Sequence, residues 1–142
     1  MIWLLRHGDA EEGAPDAERK LTAKGEQQGR SAGAALAKLG VHLDICLSSP
    51  KVRAAETARL ACEALGIEVK LESRLAGGAF DAEALVAGLG DVLLVGHDPD
   101  FSVAVGDLTG ARTQLKKGGL AGIDGGELKV LLRPDELAAI SG

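Results

Sequence analysis

Three short segments of this 142-residue chain carry the side chains best suited to chemistry: Leu5-Arg6-His7-Gly8-Asp9, Ser48-Ser49-Pro50-Lys51-Val52-Arg53 and Gly96-His97-Asp98-Pro99. Brought together, two imidazoles and two guanidiniums would suit a dianion. Arg6 and Arg53 can each fork onto two oxygens of a phosphoryl group, a planar geometry that lysine cannot offer. A metal is the rival explanation for paired histidines. Flanking arginines would repel the cation, however, and no carboxylate or thiol stands at a typical ligand spacing, so no metal is expected. Gly8 removes a side chain where something must approach the His7 imidazole closely. An arginine in a first helical turn, as expected for Arg53, meets the positive end of the helix dipole, and a bound anion would relieve that conflict. His42, on a loop, is read as an ordinary solvated histidine.

Each segment follows a short apolar run, and these runs must position the chemistry. Residues 2–5, 43–47, 67–71 and 92–95 read as strands, mostly buried on both faces. Amphipathic stretches at 22–39, 50–65, 81–89 and 99–108 read as helices, with Gly40 and Gly66 as stops after the first two. Residues 120–123 and 128–132 read as a hairpin around Asp124-Gly125-Gly126, and the tail after Pro134 as a last helical turn or two. Alternating strands and helices up to about residue 108 imply one domain over 1–142, a three-layer α/β/α sandwich with a largely parallel sheet. In such a sheet, ligands bind outside the carboxyl ends of the strands, where all three segments lie. Ser49 and Asp98 are each expected to cap a helix whose first residue is a proline, so that backbone N–H groups also face the site.

Composition narrows the function. The chain carries a net charge of −5, its lysines and arginines are dispersed, and two Phe, one Trp and no Tyr leave little to stack on bases. Nucleic acid is therefore not an expected partner. The apolar start is cut off at Arg6-His7, and no later stretch is long enough for a signal or a membrane span, so a cytoplasmic location without membrane contact is expected. Cys46 and Cys62 have no metal-type or redox spacing and are read as reduced core thiols. Lys116 and Lys117 either edge the site or are simply solvated, and the second reading is favoured.

Taken together, the segments resemble the histidine phosphatase superfamily, also called the phosphoglycerate-mutase-like fold. Leu5-Arg6-His7-Gly8 is similar to its R-H-G motif, Leu21-Thr22-Ala23-Lys24-Gly25 to its L-T-x-x-G segment, and Ser48-Ser49-Pro50 through Arg53 and Thr57 to its S-S-P-x-x-R-x-x-x-T element. Val95-Gly96-His97 is similar to its second-histidine motif. The matches span residues 2 to 109, with no comparable anchor beyond. The resemblance implies that His7 is the nucleophile and becomes phosphohistidine. It also implies that Arg6, Arg53 and His97 bind the phosphoryl oxygens, assisted by Gly8, with no metal or organic cofactor. The start Arg6-His7-Gly8-Asp9-Ala10 most resembles the small SixA-type phosphohistidine phosphatases, in which Arg19 matches a further basic residue near the site.

One departure from the wider family bears on the substrate. Mutases and many phosphomonoesterases of this family carry a glutamate general acid just after an Arg-Leu pair, whereas here Arg74-Leu75 is followed by Ala76-Gly77-Gly78-Ala79. An alkoxide leaving group needs a proton in the transition state, help worth roughly 10²–10⁴-fold. Imidazole, with a conjugate acid of pKa about 6.5, leaves far more easily. The expected reaction is therefore attack by neutral His7 on a protein phosphohistidine, such as one on a histidine-phosphotransfer domain, with charge held by both arginines and a protonated His97. A backbone carbonyl is expected to fix the His7 tautomer. The absence of a long insertion that could form a lid agrees with a protein-borne substrate. The alternatives are a small-molecule phosphomonoesterase using Asp98, or less favourably Asp81 or Glu83, as acid, and a non-catalytic phosphoprotein-binding module.

Overall fold

The computed structural model describes residues 1–142. The chain runs β1 (Ile2–Arg6), α1 (Ala23–Lys38), β2 (Ile45–Ser48), α2 (Val52–Leu65), β3 (Val69–Leu71), α3 (Ala82–Val86), β4 (Val92–Gly96), α4 (Asp100–Thr109), β5 (Leu120–Asp124), β6 (Glu127–Leu132) and α5 (Pro134–Ser141). Short 3₁₀ turns at Asp16–Glu18 and Ser73–Leu75 complete it.

All six strands form one sheet in the order β3-β2-β4-β1-β5-β6. The first four are parallel; β5 runs antiparallel to β1, and β6 antiparallel to β5. Because β4 inserts between β2 and β1, the strands preceding the three chemical segments are immediate neighbours. Register brings their ends level, with Arg6 opposite Gly96 and Ser48 opposite Val95. The next backbone groups continue this alignment: His7 N–H donates to Gly96 O at 3.0 Å and Ser49 N–H to Val95 O at 2.9 Å.

Alternation along the strands sends side chains to two cores. Trp3, Leu5, Cys46, Leu93 and Val95 pack with α1, α2 and α5, while Leu4, Leu47, Val92 and Leu94 meet Leu85 of α3 and Phe101 and Val105 of α4. The three-layer α/β/α architecture follows. Helices α1 and α2 approach closely because Gly33 has no side chain: a Cβ there would fall 2.1 Å from Ala61 O. Cys46 and Cys62 lie together in the first core, where neighbouring Cys62 and burial push the Cys46 thiol up. No helix is long and apolar enough to cross a membrane.

Several boundaries differ from the sequence reading. Helix α2 begins at Val52 because Lys51 N–H is turned back onto Ser49 Oγ (3.2 Å) and Lys51 is extended, so Ser49 does not cap a helix starting at Pro50. Helix α4 begins at Asp100, not Pro99, although Asp98 does accept from the first-turn Ser102 N–H (2.9 Å). Helix α3 stops at Val86, before Gly88 and Gly90, which both adopt positive φ. Strand β3 pairs only from Val69. The hairpin turn is Gly125-Gly126, both left-handed, as a tight two-residue turn requires.

Candidate active site

At the carboxyl ends of β1, β2 and β4 lies a cleft of about 360 Å³ with Arg6, His7, Arg53 and His97 among its walls. His7, Arg53 and His97 are each only 7% exposed, and the two imidazole centroids are 5.2 Å apart. The convergence expected from three separate strand ends is present.

The His7 ring is held from its own chain. Nδ1 lies 2.7 Å from Gly8 O, so the hydrogen sits on Nδ1 and Nε2 keeps its lone pair. Burial above all, with Arg53, Arg6 and Lys117 adding positive charge, lowers its pKa from 6.5 to about 4, against the raising effect of the Gly8 bond. His7 is thus a neutral imidazole at physiological pH. His97 is likewise pushed down, to about 3, by burial and then by His7, Arg53 and Lys51. Burial and its cationic neighbours both oppose a charge on this ring when no anion is bound, whereas the proton expected on His97 belongs to the phosphoryl-bound site. Its Nε2 lies 2.8 Å from Ser49 Oγ, and its buried Nδ1 has no partner.

Both arginines are anchored in the same way. Arg6 Nη1 donates to Leu115 O and Arg53 Nη1 to Asp16 O, each at 2.8 Å, and in both residues the buried Nε has no partner. Arg53 Nη2 also reaches Asp16 Oδ2 at 3.2 Å. Pinning a guanidinium by one end fixes its plane and leaves the Nε edge for a forked acceptor.

Gly8 plays a different part from the one expected. The group approaching it closely is the backbone of Gly25 in α1: a Cβ on Gly8 would lie 2.5 Å from Gly25 O, and one on Gly25 2.0 Å from Asp9 O. Gly8 N–H donates to Thr57 Oγ1 (3.1 Å), and Thr57 O–H in turn donates to Arg53 O (2.7 Å). Gly8 therefore locks the His7 segment to two helices instead of offering its N–H to a ligand.

Around the mouth stand Arg19, Lys51 and Lys117. Asp16, which carried no signal in the sequence, ties this rim together: its carboxylate meets Arg19 (3.1 Å), Arg53 (3.2 Å) and Lys51 (3.3 Å), and Arg19, Arg53 and Lys51 hold its carboxyl well below the usual carboxylate range. Lys117 edges the cleft and lies 3.6 Å from Asp9, so it is not simply a solvated lysine; it sits in the turn whose Gly118 N–H donates to His7 O. Lys116 is exposed and His42 pairs with Asp44 on the surface.

Ala76 and Gly77 form one edge of the cleft, so the stretch lacking the family's usual acid does face the site. Asp98 also lines it, but its carboxylate accepts from Ser102 N–H and from Ser102 Oγ at 2.8 and 2.7 Å. Asp100 accepts from Gly78 N–H. Asp81 caps α3, and with Glu83 it lines a separate cleft of about 410 Å³ that contains none of the four central residues. No group of three or more His, Cys, Asp or Glu side chains is placed to hold a metal ion.

The family model for the histidine phosphatase superfamily, branch 1, matches residues 2–82. An uncharacterized protein of Picosynechococcus sp. is 35% identical, over 94% of this chain and 90% of that one. Among solved structures, the protein histidine phosphatase SixA complexed with tungstate superposes with a TM-score of 0.82 at 24% identity, covering 96% of this chain and 98% of the other. A phosphoserine phosphatase from Entamoeba histolytica, in complex with 3-phosphoglyceric acid, gives 0.70 at 18% identity, with 96% and 98% covered.

Proposed function

The chain belongs to the histidine phosphatase superfamily, a family of phosphatases, and from that premise we propose that it is a single-domain phosphohistidine phosphatase acting on a protein substrate through a phospho-His7 intermediate. The observation that carries this reading is the gathering of two imidazoles and two guanidiniums in one cleft beside an edge, Ala76-Gly77, that offers no titratable group to a leaving alkoxide.

His7 Nε2 attacks phosphorus in line, the bond from phosphorus to the substrate imidazole breaks with its electron pair staying on the leaving nitrogen, and the leaving ring takes a proton from water, so that it departs as neutral imidazole. Arg6 and Arg53, fixed at Nη1, hold the equatorial oxygens through their remaining N–H groups, and His97 adds a further donor. Water then attacks phospho-His7, releasing phosphate and restoring the neutral ring. Gly8 O holds the His7 tautomer through both steps. Arg19 stands at the mouth, where it contacts the substrate side of the phosphoryl group. No cofactor takes part. A histidine-phosphotransfer domain is the partner that fits, because its phosphoimidazole is presented on a protein surface.

Incubation with a phosphohistidine-bearing phosphotransfer domain and with p-nitrophenyl phosphate, in excess EDTA and alongside His7→Ala, tests this. Much faster loss of phosphohistidine than of the ester, abolished in His7→Ala, is the expected result. Faster ester hydrolysis would favour the phosphomonoesterase reading, whose motivating observation is Asp98 at the cleft wall; Asp98→Asn should then remove ester turnover. Neither reaction, with phosphoprotein still bound, would leave a binding module.

A further inference from the structure

Ser49 is fully buried at the carboxyl end of β2, and its hydroxyl caps no helix. Its Oγ accepts from Lys51 N–H and lies 2.8 Å from His97 Nε2, and no other side-chain or backbone acceptor engages it. A hydroxyl that accepts one hydrogen bond still has its own hydrogen to place. Two arrangements satisfy the contact. If Nε2 carries the ring hydrogen and donates to Ser49, both the hydroxyl hydrogen and the Nδ1 lone pair are buried without a partner. If the hydroxyl donates to Nε2, the ring hydrogen sits on Nδ1, and that N–H is the one group left unpaired. Fewer unpaired buried polar groups favour the second arrangement.

We propose that Ser49 is a positioning residue that fixes His97 as the neutral Nδ1–H tautomer, so that the ring donates from Nδ1 to a phosphoryl oxygen without carrying a charge. The identity of the phosphoryl donor rests on the function proposed above; the tautomer does not. The depressed pKa of His97 agrees with a donor that works uncharged. Two cationic imidazoles with centroids 5.2 Å apart, beside two arginines, would repel one another; a neutral donor avoids this and keeps the geometry. The short turn that delays α2 also acquires a purpose, since Lys51 N–H occupies one Ser49 lone pair and turns its hydrogen toward the ring.

Long-range ¹H–¹⁵N spectra of the full chain, labelled at histidine, distinguish protonated from lone-pair ring nitrogens, and His97→Gln identifies the signals of that ring. The wild type at pH 7 should show His97 protonated at Nδ1. In Ser49→Ala the population should move toward Nε2–H, and Ser49→Thr, which restores a hydroxyl, should bring it back. With tungstate as the probe, the Nδ1–H signal should shift on binding, and affinity should fall roughly tenfold in Ser49→Ala and recover in Ser49→Thr. A wild-type ring protonated at Nε2 overturns the proposal, as does a tautomer that Ser49→Ala leaves unchanged. Should Ser49→Ala not fold, the wild-type spectrum alone decides. If the tautomer and tungstate results hold while phosphohistidine is not hydrolysed, the reaction reading fails and the role of Ser49 stands.

Discussion

The floor of the cleft and its rim are both rich in positive charge, yet they are built on opposite principles. On the floor, each group has an uncharged anchor, Gly8 O for His7, Ser49 for His97, Leu115 O for Arg6 and Asp16 O for Arg53, and only Arg53 also meets a carboxylate, that of Asp16. At the rim, Arg19, Lys51 and Lys117 face the surface carboxylates of Asp16 and Asp9. Neutral anchors fix direction without spending charge, so Arg6 keeps its full attraction for an anion, while the partly exposed Asp16 carboxylate offsets only some of the charge of Arg53. Exposed ion pairs are worth little and rearrange easily. The floor is therefore preorganised for one chemical group, while the rim can adapt to whatever carries it.

The largest test of this contrast compares Arg53→Ala with Lys117→Ala on phosphohistidine turnover. Loss of the floor arginine should lower kcat/KM by roughly 10²–10³-fold, the scale of removing one oriented transition-state donor. The rim lysine should cost no more than about fivefold, and equal losses would break the comparison.

Next in size are two glycine substitutions that separate folding from catalysis. Gly33→Ala drives a Cβ into Ala61 O, far from the cleft, and should cost about 1–3 kcal/mol in urea unfolding with turnover kept. Gly25→Ala, whose Cβ meets Asp9 O, should cost as much and also depress kcat, because the segment that carries His7 must shift.

The pH response should belong to the floor. His7 and His97 have folded pKa values lowered from 6.5 to about 4 and about 3, so the unfolded chain takes up these protons first. Their contribution to stability is complete above pH 6.5 and is lost as pH falls through the folded values toward 3. Urea midpoints between pH 7 and 4 should fall less in a His7→Gln/His97→Gln double variant than in the wild type, and identical slopes would refute neutral buried rings. The smallest effect is expected from salt: Lys51→Gln should leave kcat within about twofold and weaken the dependence of KM on ionic strength.

The floor was legible in the sequence and much of its support was not, for a physical reason. Arg6, His7, Arg53 and His97 announce themselves by side-chain type after apolar runs, and strand register brings them together as a parallel sheet must. The groups that orient them are mainly backbone carbonyls, at Leu115 and Asp16, which any residue could supply. Gly8 was recognised as a place of close approach, but the sequence could not say that a helix, not a ligand, makes that approach. Ser49 beside Pro50 has the pattern of a helix cap, and only the position of β4 next to β2 shows that an imidazole competes for its hydroxyl. Asp16, in a short 3₁₀ turn with no periodicity, had no signal to read.

The carbonyl that pins Arg6 comes from Leu115, 109 residues further along the chain. Strand β1 and the residue after it, among the first segments to leave the ribosome, thus carry two of the four central cleft residues, but Arg6 is aimed by one of the later ones. A nascent chain that has just passed β4 already holds both cleft histidines and both arginines, yet it lacks the Leu115 carbonyl that anchors Arg6. Synthesis of the cleft side chains and their final aiming are therefore separate events in the making of the protein.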